Sequence, residues 1–160
     1  MAGKELIVVA ALAATAAPLV WVRVAPADVT AWHVDPMHVP RPPRPPREGG
    51  WLVRTGEANA APPVFETDPA TLMTAFGEIM RAEPRTRMIY ESPAEGRATW
   101  VTRTPLIGFP DYTSVKAVPE AGGAALMIWA RNRFGVSDMG VNRKRVERWI
   151  AELERRLPRR

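Results

Sequence analysis

The run Pro36-Met37-His38-Val39-Pro40-Arg41-Pro42-Pro43-Arg44-Pro45-Pro46-Arg47 limits what the rest of the chain can become. Each proline fixes φ near −65° and lacks an N–H, so the run suits neither a helix interior nor a central strand. It favours extended polyproline II, and its arginines keep it in water. The PxxP spacing also suits an SH3-like groove, but such spacing arises automatically in proline-rich composition. The organisation expected is a leader at 1–27, a Pro-rich linker at 28–50 and one folded domain at 51–160. That body of about 110 residues is enough for a single modest core.

Leu6 to Val22 reads LIVVAALAATAAPLVWV, an uncharged run between Lys4 and Arg23. Seventeen residues at about 1.5 Å each span roughly 26 Å, slightly less than a hydrocarbon core of about 30 Å. Trp21 and Arg23 are placed to make up the difference at an interface. The expectation is one N-terminal span in the inner membrane with the domain on the export, periplasmic side. The alternative is secretion after cleavage at the Ala14-Thr15-Ala16 triplet. Flanking charge does not decide the orientation, which rests on the likeness of residues 1–27 to signal sequences.

Within the body, Asp68-Pro69 is a strong helix start, aspartate capping and proline taking the first helical position. Leu72, Met73, Phe76, Ile79 and Met80 then recur at three- and four-residue steps, and Pro84 bars continuation. Met73 and Met80 read as core packing on that face. Strand-like segments follow at Thr86–Glu91, Arg97–Thr104, Tyr112–Val118 and Ala124–Arg133, separated by short turn-rich stretches that imply antiparallel neighbours. Val146, Trp149, Ile150, Leu153 and Leu157 form the apolar stripe of a C-terminal helix. The fold class predicted is α+β: an antiparallel sheet of about four to five strands with two helices packed on it, preceded by an N-terminal hydrophobic helix and the Pro-rich linker.

With no cysteine, disulfides, thiolate metal sites and cysteine nucleophiles are excluded. The two histidines, His33 and His38, fall in the approach to the body, which leaves the body without an imidazole base or zinc ligand. No cofactor and no metal are expected. The net charge of +5 invites a nucleic-acid reading. However, residues 51–136 carry 9 basic and 9 acidic groups, whereas residues 137–160 carry 8 and 4. The excess sits in the last helix and tail, unlike a broad phosphate-binding face, so nucleic acid is not favoured.

Between the last strand and last helix stand Arg131, Arg133, Gly135, Ser137-Asp138, Gly140 and Asn142-Arg143-Lys144-Arg145, preceded at a distance by Phe109-Pro110-Asp111-Tyr112. This pattern resembles the domain-of-unknown-function family numbered 1499. The likeness extends less distinctly from Trp32-His33-Val34-Asp35-Pro36 to Leu157. The chain departs from that pattern at Ala130 and Asn132, where serine often stands, so no role is carried over for those hydroxyls. The resemblance implies a small protein, often with a hydrophobic leader and envelope association, and brings no catalytic activity with it.

A strand period of two puts Arg131 and Arg133 on one face. Ser137 or Asp138 is placed to cap the following helix, whose N-terminal N–H groups would then lie near both guanidinium groups. Arg131, Arg133, Ser137, Asp138, Asn142, Arg143 and Arg145 are therefore the candidate anion site, with Asp111 and Tyr112 as secondary candidates. The bland reading of the same residues is a fold-specifying junction: Asp138 is the anion, paired with Arg131, Arg133 or Arg143, and Asn142 satisfies loop carbonyls. Gly135 and Gly140 either permit turns or let a ligand approach the backbone.

Three functions compete. The leading one is a non-enzymatic binding or assembly module, tethered to the membrane through residues 6–22 and engaging an envelope protein or an anionic ligand. The second is a hydrolase-like enzyme on an anionic or lipid substrate with Asp138 or Asp111 as base. The third is a basic binder of membrane surfaces or nucleic acid using residues 143–160.

Overall fold

Turn chemistry and β-branched or aromatic residues string four strands into a meander: β3 (Thr86–Ser92), β4 (Arg97–Arg103), β5 (Pro110–Glu120) and β6 (Gly123–Asn132), each antiparallel to the next. The computed structural model describes residues 2–40 and 49–160, leaving aside the side chains of residues 2–4, 6, 8, 9 and 11–13. The part of the expected polyproline run at 41–47 lies outside the described residues. Two further strands, β1 (Gly50–Val53) and β2 (Val64–Phe65), lie end to end along the other edge of β6. The order is β1-β6-β5-β4-β3 in a six-stranded sheet, with β2 also on β6. The sequence does not announce β1 and β2 because four and two residues carry no readable period.

The chain is an α+β fold with an antiparallel sheet and several helices. Helix α3 (Pro69–Ala82) begins where the sequence places it: Asp68 accepts a hydrogen bond from the Thr71 N–H at 2.9 Å, and Pro69 opens the first turn. Helix α4 (Val141–Arg156) turns Val146, Trp149 and Leu153 inward. Together the two helices cover one face of the sheet. Phe76 stands edge-on to both Trp100 of β4 and Trp149 of α4, with ring centroids 5.6 and 6.1 Å apart. Leu126, Ile128 and Val115 pack beneath them. Glu83, which ends α3, accepts from Trp149 Nε1 at 2.9 Å and from Arg148 Nη2 at 3.0 Å and so ties the two helices together. Burial works to raise its pKa, but those two donors outweigh it and hold the carboxyl below its usual range.

The second face is covered as well, by residues expected to be linker. Residues 25–40 run across it as a largely irregular strap that contains one short helix, α2 (Val29–Trp32), which Asp28 caps through the Thr30 N–H. Trp32 stacks on Tyr112 of β5 at a centroid distance of 4.0 Å and 13° between planes. Asp35 pairs with Lys116 of β5 at 2.6 Å, and burial of Asp35 is outweighed by that partner, so its pKa is lowered. Leu52, Val101 and Met127 are consequently buried on this side too. The assignment of 28–50 as a linker thus gives way to a folded strap over 28–40 and to β1, which begins at Gly50. The physical reason is polar satisfaction: the strap's carbonyls accept from arginines of the sheet.

The leader forms helix α1 (Ala2–Val24), with Pro18 inside it. Among the described residues, no helix is long and apolar enough to cross a membrane, so the transmembrane anchor expected over 6–22 gains no support from the structure. His33 is also placed otherwise than expected. It sits in the folded part, with Nδ1 2.9 Å from Thr99 Oγ1 and Nε2 3.3 Å from Ser92 Oγ. Thr99 already donates to Ser114, so Nδ1 carries the proton and Nε2 accepts from Ser92. Burial lowers the pKa of His33, in keeping with a neutral ring held by two hydroxyls.

Phe76 is fully buried between two tryptophans. Phe76→Ala should cost about 3–5 kcal/mol of unfolding free energy, measured by urea titration at neutral pH.

Candidate functional site

Alternation along β5 and β6 decides which candidate residues can meet. Tyr112 pairs with Arg131 in register and Asp111 with Asn132, so each pair projects from an opposite face of the sheet. Arg131 and Arg133 share a face, as the period of two requires, but it is the strap face. Asp111, Asn142 and Arg145 lie on the helix face, where Arg145 Nη1 meets Asp111 Oδ2 at 2.6 Å. The structure therefore does not bring the two arginines to the N-terminus of α4. The expected single anion site is divided between the two sides of the sheet.

On the strap face the cations are satisfied almost wholly by main-chain carbonyls. Arg54 Nη1 reaches the carbonyls of Pro36, Met37 and Val39 at 3.3, 2.9 and 2.8 Å. Arg103 Nη1 donates to Val22 and Gly108 at 3.0 and 2.9 Å. Arg133 Nη1 donates to Pro26 at 2.7 Å and lies 3.4 Å from the Tyr112 hydroxyl. Arg131 Nη2 donates to Trp32 at 3.1 Å. Among the described residues none of these four arginines pairs with a carboxylate, because Asp35 is taken by Lys116 and Glu95 by Arg97.

Arg131 is the extreme case. Its guanidinium carbon lies 4.9 Å from the Trp32 ring centroid and 5.6 Å from that of Trp129, so the cation is held between two indoles. Its Nη1 is buried and has no hydrogen-bond partner among the described residues. Burial pulls its pKa down to about 10, with only the Tyr112 phenol opposing. A buried donor without a partner costs about 1–3 kcal/mol, and more when charged.

The α4 side is a closed junction. Asp138 accepts from the N–H groups of Gly140 and Asn142, both at 2.9 Å, and so caps the helix; it makes no ion pair among the described residues. Ser137 accepts from the Met139 N–H at 3.2 Å. Gly135 and Gly140 adopt φ of +89° and +77°, the left-handed turn geometry that glycine tolerates best. Arg143 pairs with Glu147 at 2.8 Å and lies over the Trp51 ring. The loop carbonyls of Phe134 and Gly135 are satisfied by Asn132 Nδ2 rather than by Asn142. Asn142 is fully buried, and both atoms of its amide lack partners among the described residues.

Sequence reasoning missed the strap-side partners Trp32, Asp35, Arg54, Arg103 and Lys116. The signal available was Trp32-His33-Val34-Asp35-Pro36, an aromatic and polar cluster too rich for a bare spacer. Its lack of any periodicity hid its docking.

The family model described as Protein of unknown function (DUF1499) matches residues 26–153. The chain belongs to that family. The matched span starts within the strap and ends in α4, so it takes in both covers of the sheet. No curated protein matches the chain.

Asp111 is 4% exposed, and burial raises its pKa against the opposing pull of Arg145. A folded-state pKa above the ordinary carboxylate value means that the folded form gains from protonation. Asp111 therefore contributes stability that is complete below the ordinary range and is lost as pH rises through the folded pKa. On lowering pH from about 7 to about 4, the parent should gain stability relative to Asp111→Asn, as urea unfolding at each pH would record. Arg145→Ala should cost about 3–5 kcal/mol at neutral pH and recover part of it on acidification.

Proposed function

We propose that the chain is a non-enzymatic binding or assembly module that receives an anionic group at the Arg131/Arg133 face of its sheet. The observation that carries this reading is the Arg131 guanidinium, buried between Trp32 and Trp129 and, among the described residues, with no carboxylate partner and one nitrogen unpaired. The strap supplies carbonyls where a partner would supply an anion, and an acidic ligand or acidic protein segment competes with it for the same donors. The location that accompanies the reading is the envelope, with residues 6–22 as a tether and the folded part on the export side. An uncharged run bounded by Lys4 and Arg23 supports that placement. The hydrolase reading has less to support it. Asp111 is engaged by Arg145 and Asp138 by two backbone N–H groups, so neither stands as a free base.

Native mass spectrometry of the full chain, gently extracted from its own membrane, tests the proposal. The expected result is a retained anion or a stoichiometric partner, lost in Arg133→Glu and in Arg131→Met while both variants keep the parent's melting temperature. A bare monomer, or variants that unfold without any change in what the parent retains, would assign these arginines to structure alone.

A further inference from the structure

The cationic face does not stop at the edge of the strap. Beyond it, where β3 and β4 form the far side of the sheet, the face opens into a recess of about 570 Å³ lined by Arg23, Arg85, Arg87 and Arg103 around Val101. Among the described residues, no acidic residue lines it. The four guanidinium groups come together for separate reasons. Arg87 stands opposite Val101 in the β3–β4 register. Arg103 is fixed by the carbonyls of Val22 and Gly108. Arg85 adopts φ of +57°, unusual for a side chain of its size, and Nε donates to the Arg103 carbonyl at 3.2 Å. Arg23, at the end of α1, donates to the carbonyls of Leu106 and Ile107. Each of these three keeps further N–H donors, and Arg87 makes neither hydrogen bond nor ion pair among the described residues.

Arg23 also belongs to a second, adjoining hollow of about 240 Å³ whose other walls are Leu19, Val20, Leu106 and Ile107. A four-cation pocket without a counter-charge thus opens onto an apolar groove through a shared arginine. The surroundings continue this pattern. Leu106 is 85% exposed at the tip of its loop, and the consecutive Leu19, Val20 and Trp21 of α1 are all exposed. Consecutive residues of a helix point in different directions, so this end of α1 is apolar on more than one side, an arrangement that water does not favour.

From this juxtaposition we infer that the recess binds the phosphate headgroup of an acidic phospholipid at a bilayer surface, the acyl chains following the Leu19–Val20–Leu106–Ile107 groove. Arginine forks match phosphate oxygens in pairs, and four of them compensate a phosphodiester and its neighbours in an anionic leaflet. A soluble phosphate would use the recess and leave the groove and the exposed Leu106 unexplained. A lipid uses all three. The site stands apart from the Arg131/Arg133 reading and survives its failure, since neither arginine lines it.

The test is sedimentation of the full chain with vesicles of mixed phosphatidylglycerol and phosphatidylcholine, compared with phosphatidylcholine alone, with inorganic phosphate as competitor. Arg87→Glu and Leu106→Asp suit it because both side chains are exposed and neither is hydrogen-bonded to the fold, which melting temperatures of the variants would confirm. The parent should prefer the anionic vesicles by about tenfold or more, and Arg87→Glu should remove most of that preference. Leu106→Asp should weaken binding to the anionic vesicles by about tenfold through loss of apolar insertion. Equal binding to both vesicle types, or unchanged binding in both variants, would overturn the assignment. Phosphate that protects the protein thermally, with Leu106→Asp indistinguishable from the parent, would assign the recess to a soluble anion instead.

Discussion

A sheet covered on both faces must bury what it projects from each, and one face of this sheet projects guanidinium groups. Taking a cation out of water costs several kcal/mol unless hydrogen bonds replace its hydration. The strap has the complementary difficulty: an extended segment without a strand partner leaves its carbonyls unsatisfied. Laying one on the other resolves both: Arg54, Arg131 and Arg133 each end on strap carbonyls, and Arg103 ends on the Val22 carbonyl in the last turn of α1, just before the strap. The helices hold their side of the sheet by apolar burial, and the strap holds the other by this exchange of donors and acceptors. Trp32 adds a stacked ring over Tyr112 at the centre.

Much of the helix side was legible in advance. Asp68-Pro69, the spacing of Leu72, Phe76 and Ile79, and the stripe Val146-Trp149-Leu153 are local signals that tertiary packing did not override. The four meander strands were legible from their turn residues, and Arg131 and Arg133 do share a face. What could not be read was which face. The turn from Asn132 to Gly140 carries α4 to the side opposite the arginines, and no propensity in those residues reports a crossing. The same blindness joined Asp111 to Tyr112, neighbours in sequence that the pleat sends to opposite sides. The strap escaped because its order depends on partners more than sixty residues away, Thr99, Ser114, Lys116 and Arg131 among them.

Two kinds of buried charge follow from this division. On the helix side Asp111 and Arg145 neutralise one another, and the pair serves to seat α4 on the sheet. On the strap side Lys116 is cancelled by Asp35, but among the described residues Arg54, Arg103, Arg131 and Arg133 are solvated by carbonyl dipoles and meet no carboxylate. A carbonyl is a weaker counterpart to a guanidinium than a carboxylate or phosphate is, so these arginines keep electrostatic demand that the Asp111–Arg145 pair does not.

Glu83 closes α3 and, through Arg148 and Trp149, is clamped to α4. Two residues later the chain reaches Arg85, whose left-handed backbone aims its side chain at Arg103. Only Pro84 separates the clamp from the recess, and its ring leaves little backbone freedom. The arginine recess therefore borrows its rigidity from the opposite layer of the molecule: the apolar core acts as the foundation on which a charged pocket, on the far side of the sheet, is kept in shape before anything enters it.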